Sequence, residues 1–159
     1  MSMTERLVYR AAVFIIVRDE LGRMLLQQRQ NTGYMDGYYD FPSGHVEANE
    51  SFAEAAVREL AEEAVLSVAE ADLRVVHLNQ NYSDVPYINV VFAAEKWEGT
   101  PCIGEPEKCS DQQFFAVNDL PEKCSLAVRY VEQAGFETPF ATSYVDREVS
   151  MKLTGWAAN

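Results

Sequence analysis

No stretch of this 159-residue chain stays apolar for the ~20 consecutive residues that a helix needs to cross a bilayer. The opening Met1–Arg6 has no charged leader followed by an apolar segment and a small-residue cleavage site, so a secretion signal is not expected. Cysteine is scarce. Cys102, Cys109 and Cys124 form an odd set without tight pairing, which predicts reduced thiols in a cytoplasmic protein. Cys102 and Cys109 have no further Cys or His at ligand spacing, which argues against a soft-metal site. The largest deficit is positive charge: 13 Lys plus Arg face 25 Asp plus Glu, a formal charge of −12. Such a surface repels phosphate backbones, so a nucleic-acid polymer is not an expected partner. It also repels small phosphate esters unless cations stand between.

With 48% apolar residues the chain is rich enough to bury a core, and neither a linker nor an internal repeat divides residues 1–159 into more than one domain. Ala11–Val17 (AAVFIIV) reads as a strand buried on both faces, and Met24–Arg29 as its return after the turn Asp19–Gly22. Asn31–Asp40 has loop composition, closed by Phe41–Gly44. Ser51 and Glu54 match a capping box, and Phe52–Ala64 has no Gly or Pro, which predicts a helix there. Phe52, Ala56 and Leu60, with Ala53, Val57 and Ala64, supply its buried stripe. Leu73–Leu78, Ile88–Ala94 and Gln113–Val117 read as strands, and Gly99–Ser110 as a loop. A late helix carries Cys124, Ala127, Val128, Val131 and Ala134 and ends at Gly135; Phe136–Asn159 shows no clear period. Strands mixed with two helices predict an α/β domain with helices packed on a mixed sheet.

Chemistry concentrates in Arg58-Glu59-Leu60-Ala61-Glu62-Glu63. Glu59, Glu62 and Glu63 are spaced by three and four and share one helix face. Like charges so placed destabilise a helix by roughly 0.2–0.5 kcal/mol per pair. A divalent cation such as Mg²⁺, with Mn²⁺ as a substitute, would offset that repulsion, because carboxylates are hard oxygen ligands. Phosphoryl chemistry uses such an arrangement. Arg58 has Glu54 four residues before it and Glu62 four after, so its expected task is to hold the glutamates in place.

The frame from Gly44 to Leu66 widens the pattern: G-HVEAN-E-SFAEAAV-RELAEE-AVL. It resembles the box of the Nudix (MutT-like) hydrolases, G-x5-E-x7-R-E-U-x-E-E-x-G-U, in which U is bulky and aliphatic. Gly44, Glu50, Arg58, Glu59, Glu62 and Glu63 match, and Leu60 and Leu66 fill both U positions. The second glycine of the box is Val65 here. A β-branched residue resists the positive φ that glycine supplies, so the helix is expected to continue or the exit loop to differ. Chain order outside the box also resembles the family from about Arg10 to Gly135.

The resemblance implies a Nudix-type α/β/α sandwich, a mixed sheet with the box helix and a late helix packed on it. It implies a metal-dependent pyrophosphohydrolase that cleaves a diphosphate linkage in a small-molecule nucleotide, foremost a (deoxy)nucleoside triphosphate or oxidised purine nucleotide. ADP-ribose, a nucleotide sugar, a dinucleoside polyphosphate, or nucleotide binding without catalysis are the alternatives. Homodimers are common among such proteins. Glu59 and Glu63 would be the principal metal ligands, with Glu62 and the Gly44 carbonyl adding to them, and Glu50 would pair with Arg58 or sit behind the metals. Glu105 is the first candidate for a further acid from a late loop and Glu107 the second. Arg29 and Lys108 are candidates to hold phosphate, and Tyr38, Tyr34 or Tyr39 to stack on a base or simply close their loop. His45 reads as a loop hydrogen-bonding residue, and His77 as a core or sheet-face histidine. Asn79 and Asn81 alternate on one strand face, where they could read a base edge.

Overall fold

A computed structural model describes residues 6–156. Met1–Glu5, within which no leader is expected, and residues 157–159 lie outside that range. Among the described residues, eight strands fall into two sheets. The larger contains β1 (Arg10–Val17), β4 (Ser43–His45), β5 (Leu73–Tyr82), β6 (Tyr87–Ala94) and β8 (Ala141–Asp146) in the order β4-β1-β6-β5-β8. It is mixed: β1 runs parallel to β6, β5 parallel to β8, and the other neighbours are antiparallel. The smaller is antiparallel, with β2 (Met24–Arg29) between β3 (Tyr39–Asp40) and β7 (Cys109–Phe115). The helices are α1 (Phe52–Ala64), α2 (Leu126–Ala134) and α3 (Arg147–Thr154).

Alternation along β1 and β2 builds a core on each side of the large sheet. Val13, Ile15, Val17 and Leu25 pack with Ala55, Ala56, Leu60 and Ala64 of α1. Ile16, Met24 and Leu26 pack with Leu126, Val128 and Val131 of α2. The apolar run of β1 is therefore buried on both faces, as its composition predicts. Burial of that kind, at roughly 25 cal/mol per Å² of apolar surface, is what holds the layers together.

Several expectations need correcting. Phe52 is 42% exposed, so the buried face of α1 is turned toward Ala55 and Glu59, and one edge of it is acidic. β5 runs on to Tyr82, and β7 starts at Cys109, so the 99–110 loop is shorter than its composition implies. The aperiodic tail contains β8 and α3. Cys102 is exposed while Cys109 and Cys124 are buried, all three unpaired.

The exit from α1 also differs from expectation. The helix stops at Ala64, and Val65 itself takes the left-handed conformation, φ 56° and ψ 37°. Its N–H still caps the Leu60 carbonyl. A β-branched residue held there is strained by about 1–2 kcal/mol, and Val65 is 51% exposed, so little packing offsets the strain. Val65→Gly should therefore raise stability by about 1 kcal/mol after the entropy cost of glycine, read as a higher melting temperature. Activity should stay within about tenfold, because the carboxylates precede the exit.

Candidate active site

The first turn of α1 is fixed by a complete capping box: Ser51 Oγ accepts from Glu54 N–H, and Glu54 accepts from Ser51 N–H at 2.6 Å. Glu54 is thereby occupied, and Arg58 does not pair with it as helix spacing suggests. Arg58 grips Glu50 with two bonds, Nη2–Oε1 at 2.7 Å and Nε–Oε2 at 3.1 Å. It also donates to Glu59 at 2.7 Å, to Glu62 at 3.3 Å and to the His45 carbonyl at 3.0 Å. That bidentate contact holds the Glu50 carboxyl below its ordinary pKa. One guanidinium thus ties the loop before α1 to two of the three helix carboxylates.

Glu59 is buried and lies against Gly44, where a Cβ would stand 1.9 Å from its Oε1. Only glycine leaves that carboxylate its place. Glu63 accepts from the Ser43 N–H at 2.9 Å. Burial, and then the neighbouring Glu59, Glu105 and Asp40, push its pKa up to about 8. Burial also raises Glu59, with Glu62 and Glu105 adding to the effect against the pull of Arg58.

The loop that follows β6 closes the site from the far end of α1. Gly104 N–H donates to the Glu63 carbonyl at 2.9 Å and Cys102 N–H to the Ala64 carbonyl at 3.1 Å. Gln27, buried in β2, donates to the same Glu63 carbonyl at 3.1 Å. These bonds satisfy helix-end carbonyls that would otherwise lack partners. They also carry Glu105 and Lys108 to the glutamates, joined by a 2.9 Å ion pair. Gln30 and Asn31 tether the loop through the carbonyls of Pro106, Glu107 and Lys108.

A cleft of about 730 Å³ runs from these acids between the two sheets. Glu59, Glu62, Glu63, Glu105, Lys108 and Arg29 all line it, as do Gly44 and His45; Glu107 and Tyr38 do not. Arg29 donates to the Tyr34 carbonyl at 2.8 Å and stands 3.7 Å from Asp40. Tyr38 donates to the Thr154 carbonyl, and Tyr39 to Asp111, so Tyr34 is the tyrosine of that loop that faces the cleft. A ring nitrogen of His45 is 2.8 Å from the Tyr87 hydroxyl, and buried His77 meets Ser143. Asn81 lines the cleft, whereas Asn79 is buried behind it. Sequence reasoning missed Arg10, Asp40, Asn89, Gln27 and Gly104. Of these, only a glycine inside an acidic loop carried a local signal.

Among the described residues no three of the carboxylates stand close enough, as placed, to close a cage around an ion. Arg58 holds Glu59 and Glu62, and Ser43 holds Glu63. The donor set still fits a hard divalent cation: it is all oxygen, and its raised pKa values report negative charge that a cation would relieve. A pH dependence follows. An acid whose folded pKa lies above its unfolded value of 4.5 stabilises the fold while protonated, and that contribution is lost as pH rises toward about 8. In chelator the melting temperature should be several degrees lower at about pH 8 than at about pH 5.5, as calorimetry would read.

A helix bearing converging glutamates, packed on a mixed sheet beside a cleft, defines a class of hydrolase, and comparison with known proteins gives the family. The NUDIX domain model matches residues 8–133, and the chain belongs to the Nudix family of hydrolases, which act on phosphorus-containing acid anhydrides. A MutT NUDIX hydrolase from Burkholderia pseudomallei is similar in structure, with TM-score 0.73 at 22% identity over 79% of this chain and 97% of that one. A NUDIX hydrolase from Nitrosomonas europaea gives 0.72 at 19% over 89% and 81%. An ADP-ribose pyrophosphatase from Streptococcus suis gives 0.59 at 18% over 87% and 100%. Nudix hydrolases are generally dependent on divalent metal and act on small nucleotide substrates. No helix among the described residues is long and apolar enough to cross a membrane.

Proposed function

We propose that this protein is a magnesium-dependent nucleotide pyrophosphohydrolase acting on a (deoxy)nucleoside triphosphate or an oxidised purine nucleotide. The observation that carries this reading is the meeting of Glu59, Glu62, Glu63 and Glu105 with Lys108 and Arg29 in one cleft. Mg²⁺, or Mn²⁺ in its place, would be held by Glu59, Glu62, Glu63 and the Gly44 carbonyl, and supplies charge neutralisation at the diphosphate oxygens. Arg58 keeps Glu59 and Glu62 from swinging into solvent and is a positioning residue. Lys108 and Arg29 take the phosphate oxygens. Glu105, on the loop seated at the end of α1, takes the proton of the attacking water as the diphosphate bridge breaks. The unpaired cysteines fit a reducing, cytoplasmic setting, and residues 1–159 act as a single domain.

A panel of nucleotides tests the reading. Mg²⁺-dependent release of phosphate or pyrophosphate is expected from at least one nucleoside triphosphate, together with a higher melting temperature on adding Mg²⁺ at about pH 8. ADP-ribose belongs in the panel because of the likeness to the Streptococcus suis enzyme. Tight nucleotide binding without turnover of any member would instead mark a binding domain, a reading disfavoured by the full set of box glutamates.

A further inference from the structure

Part of the cleft has a floor of buried amides. β1, β6 and β5 place Ala12 beside Asn89, Asn89 beside Asn79, and Tyr87 beside Asn81 on one face of the large sheet. Farther along that face the residues are apolar, with Ile16 and Val91 in the α2 core. A change from valine and isoleucine to three buried asparagines costs stability unless the amides have partners. Part of the set is satisfied internally. Asn79 donates to Ser143 Oγ at 2.9 Å and accepts from Asn89 at 3.2 Å. Asn81 Oδ1 accepts from Ser83 N–H at 2.9 Å, which leaves its amide nitrogen to offer. Asp40 Oδ1 is taken by Ser125 Oγ and Phe41 N–H.

Beyond this floor a niche of about 30 Å³ opens, lined by Phe14, Tyr34, Asp40, Asn89 and Tyr130, among others. The Tyr130 residue is 2% exposed, and its hydroxyl is the one buried side-chain polar atom without a hydrogen-bond partner among the described residues. An unpaired buried hydroxyl costs about 1–3 kcal/mol, and a native fold that keeps one invites an explanation. The niche exceeds the ~10–15 Å³ one water needs and is too small for a whole ring. It suits one small polar substituent of a flat group lying against Phe14 and Tyr34.

We propose that this niche reads the nucleobase of the substrate, receiving one exocyclic group at the Tyr130 hydroxyl while Asn81 and Asn89 meet the adjoining edge. This rests on the nucleotide reading above and adds where the base lies and which side chains choose it. The segment after the matched domain supports the subsite twice. β8 brings Ser143 to hold the Asn79–Asn89 chain, and Trp156 packs edge-on against Tyr34 with ring centroids 4.9 Å apart. A site that hydrogen-bonds a substrate group rejects analogues lacking it, because its own buried groups are then left unpaired.

The test compares wild type with Tyr130→Phe on dATP, dGTP, dCTP and dTTP in Mg²⁺, with purine riboside triphosphate as a base lacking exocyclic groups. Wild-type kcat/KM is expected to spread about tenfold or more across the bases, and to fall by a similar factor on the riboside analogue relative to the preferred purine. Tyr130→Phe should compress the spread to within about threefold, the loss appearing in KM. Its melting temperature should stay near wild type, because the hydroxyl makes no hydrogen bond of ordinary length and Asn89, the side chain that interacts with it, is still held by Asn79. Equal kcat/KM for all bases in wild type overturns the proposal. So does an unaltered spread in the variant, whether or not its melting temperature drops. Absence of turnover on all of these nucleotides, and on an oxidised purine nucleoside triphosphate, would defeat the substrate reading above instead. Calorimetric titration with the four nucleoside monophosphates then decides the niche, and equal affinities overturn it.

Discussion

Replacing Glu63 with Gln is expected to lower nucleotide hydrolysis by about 10²–10⁴-fold while leaving the fold intact and the melting temperature at neutral pH as high as wild type or higher. The two halves of that expectation have one cause. Glu63 sits where burial and the nearby Glu59, Glu105 and Asp40 all oppose its charge. The amide is the same size, and its oxygen can still accept the Ser43 N–H. The amide cannot ionise, so it spares the metal-free protein the repulsion that builds as pH rises toward about 8, and it deprives a cation of a principal ligand. Stability and activity move in opposite directions, as they do where a site is strained for function. Mg²⁺-dependent rates, a nucleotide panel and a melting curve at pH 7 read both. A variant within about threefold of wild type would remove Glu63 from the reacting centre, whatever its stability.

The parts of this architecture that depend on neighbours in sequence were legible before any coordinates. The capping box of Ser51 and Glu54, the length of α1, the two-sided burial of β1 and the grouping of Glu59, Glu62 and Glu63 are all local consequences of period and propensity. What failed depended on distant chain. Arg58 is the local exception: it meets Glu50 and Glu62 as expected, but Glu54, at helix spacing, is consumed by the cap instead. Val65 was expected to prolong or redirect the exit. It is held in a left-handed turn because Cys102, Gly104 and Gln27 have already claimed the carbonyls around it. β8 was invisible because it is a short edge strand whose pairing partner, β5, lies far back in the chain. The alternation of Asn79 and Asn81 was legible, but not their division of labour, which Ser143 and Ser83 decide.

Gly104→Ala is expected to cost more stability than any other single change proposed above, and its contrast with Gly44→Ala shows why the loop matters. A Cβ on Gly104 would stand 1.9 Å from the Glu62 carbonyl oxygen and 3.0 Å from its carbon. Both atoms belong to helical backbone, which cannot rotate aside. The loop must lift, giving up the bond from Gly104 N–H to Glu63 and straining the one from Cys102 to Ala64. One helix-end bond lost and another strained, together with lost contact along the loop, should cost about 3 kcal/mol, a fall of several degrees in melting temperature. Glu105 and Lys108 ride on the same loop, so hydrolysis should drop by at least about tenfold even where the protein remains folded. A Cβ on Gly44 meets only the end of the Glu59 side chain, at 1.9 Å. That carboxylate can swing away at little cost to the fold, but in doing so it leaves the site. Gly44→Ala should therefore melt near wild type and lose most of its activity, whereas Gly104→Ala loses both. If Gly104→Ala melted like wild type, the loop would not be seated on the end of α1, and Glu105 would have no fixed place beside the helix glutamates.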